Sequence, residues 1–172
     1  LEKKPKIALV FAPRQRDKNK IDLTLLYNTI RKEGYYLIVK SRAKDRVTNQ
    51  FHKGDLYLED TSWFPHTSME LLAISDIVIN FSSTCIKEAV LFNKPVINFH
   101  IKPFSKPLAP LYDYDFSREL CNKNFSFDIT ELKRALNYFE NYTNSQSFND
   151  CKRDYLFVDY SVSSKIFDVL EG

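Results

Sequence analysis

The sequence has no apolar run long enough to cross a membrane. Its longest apolar runs have the length of a strand and are interrupted by charges, whereas a membrane-spanning helix needs roughly 20 apolar residues in a row. The first six residues, LEKKPK, lead directly into a predicted strand and not into a long apolar segment, so we expect no signal peptide. The sequence therefore predicts a soluble protein.

Cysteine and histidine are scarce and scattered. The three cysteines lack the paired spacing of a zinc site or a disulfide framework; they are Cys85, Cys121 and Cys151. We expect them to be free thiols in a reducing cytoplasm. The three histidines are equally dispersed, and isolated histidines are more often structural than metal-ligating. We therefore predict no metal site.

A strong excess of charge of one sign is also absent. The formal net charge is +3, although basic residues cluster within residues 14–20 and 40–46. Such runs are usually solvated surface, and a nucleic-acid partner would require a stronger bias. We therefore expect these runs to be exposed and predict no nucleic-acid binding.

Strand-like and helix-like segments alternate along the chain. The predicted strands are residues 6–12, 36–40, 55–59, 76–81 and 94–99, and the predicted helices are residues 21–33, 68–74, 86–92, 130–138 and 161–170, with a short helix or turn at 151–158 and an exposed loop at 141–149. This alternation predicts an α/β fold, a Rossmann-like, mostly parallel sheet with helices on both faces. With 172 residues and 44% hydrophobic content, a single domain covering 1–172 is expected.

Helix ends can be predicted from capping residues. The first helix should stop at Gly34, and its apolar spacing predicts a buried face that consists of Ile21, Leu25, Leu26 and Ile30. The helix predicted at 130–138 should be capped by Asp128 or Thr130.

The most informative segment is residues 76–99, DIVINFSSTCIKEAVLFNKPVINF, which joins two buried strands through a polar turn and a helix. The turn residues Ser82, Ser83 and Thr84 supply helix-capping hydroxyls and free N–H groups, and the positive end of the helix dipole favours an anion such as phosphate. Glu88 comes one turn later; its carboxylate would repel phosphate but suits a pair of sugar hydroxyls. An ordinary helix start with a solvated Glu88 remains equally open on these residues alone.

This segment resembles the nucleotide-sugar motif in the C-terminal domain of GT-B glycosyltransferases and of their relatives, the UDP-N-acetylglucosamine 2-epimerases and the CDP-glycerol glycerophosphotransferases. In those families a small or hydroxyl-rich turn holds the diphosphate and a glutamate in the next helix holds the ribose. The resemblance implies phosphate binding by Ser82, Ser83 and Thr84 and ribose binding by Glu88. The epimerases have glycines in place of Ser83 and Thr84, so side chains crowd the turn here.

Basic side chains follow the first two predicted strands. Ligands of an open parallel sheet lie beyond the carboxyl ends of its strands, where this chain has Arg14 and Arg42. A guanidinium offers two parallel hydrogen bonds to phosphate oxygens. We predict that both arginines reach the diphosphate, with solvated loop cations as the open alternative.

An aromatic loop, residues 59–66 (EDTSWFPH), precedes the helix that leads to the central strand. In the resembling families this loop packs against the nucleotide base, which implies that Phe64 and Pro65 contact a pyrimidine. For Trp63 we predict a structural role at the edge of the core. His66 is a candidate for contact with the sugar or pyrophosphate, and a helix cap or surface group is the alternative.

The resemblance extends over nearly the whole chain, because residues 151–172 are similar to the final segment of the same superfamily. Two departures affect the mechanism. Residues 13–16 read PRQR where the epimerases carry a His-Arg-Arg type sequence, so the epimerase's histidine is absent. We expect the acceptor-binding N-terminal domain of a GT-B enzyme to be missing here, and we interpret the start at Leu1 as that of an excised domain.

The resemblance thus implies one GT-B half, the C-terminal half of a larger two-domain enzyme. The expected function is binding of a UDP- or CDP-activated sugar or polyol by a transferase that builds a surface polysaccharide or teichoic-acid-like polymer of the cell envelope. We expect a cytoplasmic location, with the full enzyme at the inner face of the membrane. The alternatives are a nucleotide-sugar epimerase or hydrolase and a non-catalytic scaffold.

No cofactor or metal is expected. The segments that follow the first two predicted strands carry Arg14 and Arg42 and no Asp-x-Asp pair, and the basic groups with the helix start would stabilise the charge on the leaving nucleotide. Without its acceptor domain the chain should bind donor without turnover.

Overall fold

A computed structural model describes residues 5–14, 21–41, 54–59, 66–81, 83–99, 117–119, 127–138 and 146–156. The strands in these ranges are β1 (Lys6–Phe11), β2 (Tyr35–Lys40), β3 (Leu56–Leu58), β4 (Ile77–Asn80), β5 (Val96–Asn98) and β6 (Ser117–Glu119). The helices are α1 (Leu23–Lys32), α2 (His66–Ile74), α3 (Ile86–Leu91), α4 (Ile129–Tyr138) and α5 (Gln146–Leu156). The predicted alternation of strands and helices is confirmed across these ranges.

The strands form one sheet in the order β3-β2-β1-β4-β5-β6, and every neighbouring pair is parallel. The order confirms the predicted Rossmann-like sheet and adds β6, which the sequence did not predict. The chain runs outward from β1 to β3, then returns to β4 and runs outward to β6. The direction of the strand order reverses between β1 and β4, and ligands of doubly wound sheets bind beyond the carboxyl ends of the strands at such a reversal.

The middle of the sheet forms the core. All four residues of β4 are buried, as are the last four of β1 and all three of β5. Strands buried on both faces are typical of a parallel sheet covered by helices. The helices form two packed groups, α1 with α4 and α3 with α2 and α5.

The buried face of α1 differs from the prediction at one position. Leu26 and Ile30 are buried, as is Ile21 just before the helix, but Leu25 is 39% exposed. Tyr27 takes its place in the core. Residues 23, 26, 27 and 30 make the apolar stripe at helical spacing, and Leu25 lies outside it.

The predicted helix caps are resolved by the structure. Gly34 ends α1 with φ at 86°, a left-handed conformation that glycine tolerates best. Asp128, and not Thr130, caps α4, because its Oδ1 accepts hydrogen bonds from the N–H groups of Thr130 (2.7 Å) and Glu131 (3.3 Å).

The predictions near the C-terminus are partly wrong. Residues 141–149 were expected to form an exposed loop, but α5 begins at Gln146 and continues to Leu156. Its residue Phe148 is fully buried, and this anchoring holds the segment as a helix against α3. The helix predicted at 161–170 lies outside the described residues. None of the helices in the described ranges combines the length and hydropathy that crossing a membrane requires.

Candidate functional site

The carboxyl ends of β1 and β4 lie side by side where the strand order reverses. Phe11 and Asn80 are partners in the strand register. Arg14 is the third residue after Phe11, and Ser83 is the third residue after Asn80. The side chain of Arg14 is exposed. The fold therefore brings two of the predicted phosphate-binding segments to adjacent strand ends.

The turn after β4 is held by the side chain of Asn80, which is fully buried. Its Nδ2 donates to the Ser83 carbonyl at 3.1 Å, and its Oδ1 accepts from the Ser83 N–H at 3.3 Å. One amide side chain thus binds both polar groups of the Ser83 backbone and fixes the path of the chain out of the strand.

A second asparagine stands beside the first. Asn98 is the register partner of Asn80 on β5 and is also fully buried. The Nδ2 of Asn80 donates to the Oδ1 of Asn98 at 2.8 Å, and the Phe99 N–H donates to the Asn80 carbonyl at 2.7 Å. Buried amides require such partners, so the pair ties the ends of β4 and β5 together.

The prediction that a hydroxyl of Ser82, Ser83 or Thr84 caps α3 is wrong. The N-cap is Cys85, which makes no side-chain capping bond. The Ser83 hydroxyl donates to the Cys85 Sγ at 3.3 Å, and the Cys85 N–H lies 3.5 Å from the Ser83 Oγ. The Lys87 N–H donates to the Thr84 carbonyl at 3.1 Å. The helix begins at Ile86, as predicted, but Cys85 and not one of the hydroxyl residues stands at its N-cap.

Glu88 lies in the first turn of α3 and is partly exposed. A carboxylate there interacts favourably with the positive end of the helix dipole. Within the described part of the chain, no hydrogen bond or ion pair engages this carboxylate. Thr84, one turn earlier, is exposed. The accessible carboxylate is therefore placed one turn beyond the polar turn, as the sequence predicted.

The burial of Lys40 at the carboxyl edge of the sheet was not predicted from the sequence. We expected Lys40 in a solvated basic run, but this last residue of β2 is only 5% exposed. Lys40 is in register with Phe11, and Phe11 with Asn80. Residues in register on parallel strands point to the same face of the sheet, so Lys40 and Asn80 share a face at the carboxyl edge. A single sequence gives no signal for this burial.

Three phenylalanines brace the strand ends below the turn. The rings of Phe81 and Phe99 stack with centroids 5.2 Å apart, and Phe127 meets Phe99 edge-on at 5.7 Å. Both geometries are favourable for aromatic pairs. The cluster packs where β4 and β5 end, since Phe81 directly follows β4 and Phe99 directly follows β5.

Tyr27 of α1 lies near Tyr57 of β3, an edge strand of the sheet. Burial raises the pKa of Tyr27, and the neighbouring Tyr57 raises it further. The Tyr27 hydroxyl is buried and has no hydrogen-bond partner among the described residues. Burial also raises the pKa of Tyr57.

The other predicted site residues lie in α2 or outside the described residues. His66 is the first residue of α2. Four others lie outside the described residues: Arg42, Phe64, Pro65 and Ser82. Across the described ranges, no three His, Cys, Asp or Glu side chains are grouped so as to hold a metal ion.

At the level of sequence, neither a protein-family model nor a curated protein matches the chain. Solved structures do match it. The wall teichoic acid polymerase TagF is 16% identical with a TM-score of 0.58, and the match covers 99% of this chain and 44% of that one. The ADP-heptose lps heptosyltransferase II of E. coli is 14% identical with a TM-score of 0.58, and the match covers 81% of this chain and 47% of that one. The glycotransferase of kitacinnamycin is 11% identical with a TM-score of 0.57, and the match covers 87% of this chain and 38% of that one.

These likenesses show the fold. The chain has the α/β architecture of one half of the GT-B glycosyltransferases, as the resemblance implied. It spans less than half the length of each of these three structures.

Proposed function

We propose that the chain is the donor-binding half of a GT-B-type transferase and that a UDP- or CDP-activated sugar or polyol binds in the crevice between β1 and β4. One observation carries this proposal: Arg14 and the Ser83 turn follow a register pair at the point where the strand order reverses. Doubly wound sheets bind their ligands at that point.

The diphosphate would lie between Arg14 and the turn. The Arg14 guanidinium can donate two parallel hydrogen bonds to phosphate oxygens. The turn offers the exposed residue Thr84 and the Ser83 hydroxyl, which would exchange its hydrogen bond to the Cys85 Sγ for one to phosphate. We extend the phosphate site to Ser82 and Arg42 from their positions in the sequence. All of these groups are cations or hydrogen-bond donors, so their chemistry suits an anion.

The nucleoside would lie toward α3 and the loop before α2. The Glu88 carboxylate, which no described cation neutralises, would accept hydrogen bonds from the ribose hydroxyls. Phe64 and Pro65 would contact the pyrimidine, and His66, at the start of α2, would approach the sugar or pyrophosphate. The same arrangement would stabilise negative charge on the leaving nucleotide.

We propose that catalysis requires a second half. The structures with this fold are more than twice as long as the part that this chain matches, which supports a partner domain that binds the acceptor. The isolated chain would bind donor without turnover. No cofactor is proposed beyond the activated donor itself.

The polymer chemistry is proposed from the similar structures. Two of them are named for a wall teichoic acid polymerase and an lps heptosyltransferase, and a TagF variant was soaked with CDPG. We propose that this chain serves the synthesis of a surface polysaccharide or teichoic-acid-like polymer, in the cytoplasm at the inner face of the membrane.

Calorimetric titration of the chain with UDP and with CDP tests the proposal. We expect saturable binding of at least one nucleotide, weakened about tenfold by Ser83→Ala, since a hydrogen bond to a charged group is lost. Ser75→Ala is the matched control, because Ser75 is a buried serine that bonds to the Leu72 carbonyl ahead of β4, at the opposite edge of the sheet. Absence of binding by the intact chain would favour a scaffold.

A further inference from the structure

We infer that Asn80 is a positioning residue that turns the Ser83–Thr84 peptide so that the Thr84 N–H faces the bound phosphate. The inference rests on the proposed function and identifies what shapes its anion site. Asn80 touches no ligand in this account and acts through the backbone of the turn.

The orientation follows from the geometry of one peptide unit. The Ser83 carbonyl accepts from the Asn80 Nδ2 at 3.1 Å and from the Ile86 N–H at 3.4 Å, so it points into the protein. The carbonyl and the N–H of a trans peptide unit point in opposite directions, and no cis peptide bond occurs in the described chain. The N–H of Thr84 therefore points away from Asn80.

That N–H is available to a ligand. Thr84 is exposed, and within the described residues its N–H donates no hydrogen bond. The Ser83 N–H, by contrast, is used internally, because it donates to the Asn80 Oδ1 at 3.3 Å. The sequence suggested that the N–H groups of the turn are free; the structure divides them into one that holds the turn and one that faces out.

Asn98 keeps the Asn80 amide in the required orientation. One Asn80 Nδ2 hydrogen goes to the Ser83 carbonyl and the other to the Asn98 Oδ1 at 2.8 Å. If the amide flipped, its oxygen would meet two other oxygens in a fully buried place, where unsatisfied and opposed acceptors are costly. The two strand-end asparagines thus specify which way the peptide faces.

Asn80→Asp tests the inference with almost no change in volume. An introduced carboxylate has no hydrogen to donate to the Ser83 carbonyl or to Asn98, and it repels both oxygens. We expect the affinity for UDP or CDP to fall about 10-fold to 100-fold. Asn98→Ala removes only the second support, so its loss of affinity should be smaller. Ser75→Ala should leave affinity unchanged.

Two readouts separate positioning from a general loss of structure. In the ¹⁵N-labelled wild type, UDP, CDP or inorganic pyrophosphate should move the Thr84 amide resonance as its N–H bonds to an anion, and this shift should vanish in Asn80→Asp. Lowering the pH from about 8 to about 5 should narrow the affinity gap between that variant and wild type, because a protonated carboxyl can donate one hydrogen bond to the Ser83 carbonyl.

The outcomes are distinguishable. A wild-type chain that binds neither nucleotide would overturn the proposed function and, with it, this inference. Nucleotide binding that leaves the Thr84 amide unmoved, or unchanged affinity in folded Asn80→Asp, would overturn the inference alone. If Asn80→Asp does not fold by circular dichroism, the Thr84 shift in wild type and in Asn98→Ala decides: a shift in wild type that is reduced in Asn98→Ala supports the inference, and equal shifts contradict it.

Discussion

Arg14 and Ser83 lie on opposite sides of the boundary between β1 and β4, each three residues beyond one member of the register pair Phe11 and Asn80. A cation and a hydrogen-bonding turn are thereby fixed at the reversal of strand order, although 69 residues separate them in the sequence. The sheet itself provides the geometry, since register partners on parallel strands stay about 5 Å apart.

Arg14→Ala should lower the affinity for UDP or CDP about tenfold, because one charge-assisted contact to the diphosphate is lost. The affinity for inorganic pyrophosphate should fall by a similar factor. The matched control is Lys32→Ala, which removes an exposed cation from the last turn of α1 at the opposite edge of the sheet. Calorimetry at fixed ionic strength measures both. Equal losses in the two variants would mean that only net charge matters.

Glu88→Ala should affect the ribose and not the phosphate. We expect the wild type to bind UDP or CDP about tenfold more tightly than the 2′-deoxyribose analogue, since the analogue lacks one of the two hydroxyls that bond to the carboxylate. The variant should bind both nucleotides equally and keep its affinity for pyrophosphate. Glu70→Ala, which removes an exposed carboxylate from α2, is the control. Discrimination that survives in Glu88→Ala would place the ribose elsewhere.

Tyr27→Phe should stabilise the protein. The Tyr27 hydroxyl is buried without a partner among the described residues, so its removal should raise the free energy of unfolding by about 1 kcal/mol. Tyr35→Phe is the opposite case, because the Tyr35 hydroxyl donates to the Leu136 carbonyl at 3.0 Å in the core. Its loss should lower the free energy of unfolding by about 1 kcal/mol. Urea unfolding of both variants measures the difference in sign.

The raised pKa of Tyr27 also predicts that the free energy of unfolding depends on pH. Burial raises the pKa of Tyr27 in the folded protein, so above about pH 10 the tyrosine of the unfolded chain ionises while the folded one stays neutral. The unfolded state then binds fewer protons, and stability falls as the pH rises. Wild type should lose more stability than Tyr27→Phe between about pH 9 and about pH 11. Parallel curves would contradict this account of Tyr27.

Two glycines should respond differently to alanine. A Cβ at Gly54 would lie 2.8 Å from the Leu56 carbonyl oxygen and 2.8 Å from the Val39 Cγ2, so Gly54→Ala should cost about 2 to 3 kcal/mol through overpacking. A Cβ at Gly34 meets nothing within 4 Å, and Gly34→Ala should cost only about 1 kcal/mol through its positive φ. Chemical denaturation tests the ranking; the reverse order would be inconsistent with the β2–β3 packing.

The apolar strands and the helix that follows Ser83 were predictable because their signals are local. A run such as IVI in β4 and the regular spacing in α1 are readable in one window of sequence. The edge strand β6 was missed because its three residues, SRE, carry no apolar signal. The start of α5 was missed because residues 141–149 are mostly polar and the burial of Phe148, which helps to hold the helix there, is a tertiary contact that the local sequence does not show.

The sequence was enough to find the segments that form the candidate site, but it was not enough to find the buried side chains behind them. The Ser-Ser-Thr turn and Glu88 stand out because residue type and helical spacing suffice to find them. The pairing of Asn80 with Asn98 depends on the register of two strands 18 residues apart, and asparagines at strand ends usually indicate turns. The burial of Lys40 likewise depends on its neighbours across the sheet and on no feature of its own segment.

A crystal structure of the chain soaked with UDP or CDP would show whether a nucleoside diphosphate binds where the strand order reverses between β1 and β4. We expect the diphosphate between the Arg14 guanidinium and the backbone of the Ser83–Thr84 turn, with the ribose hydroxyls at Glu88. A nucleotide bound away from the carboxyl ends of β1 and β4, or a crevice occupied by the chain's own side chains, would contradict it.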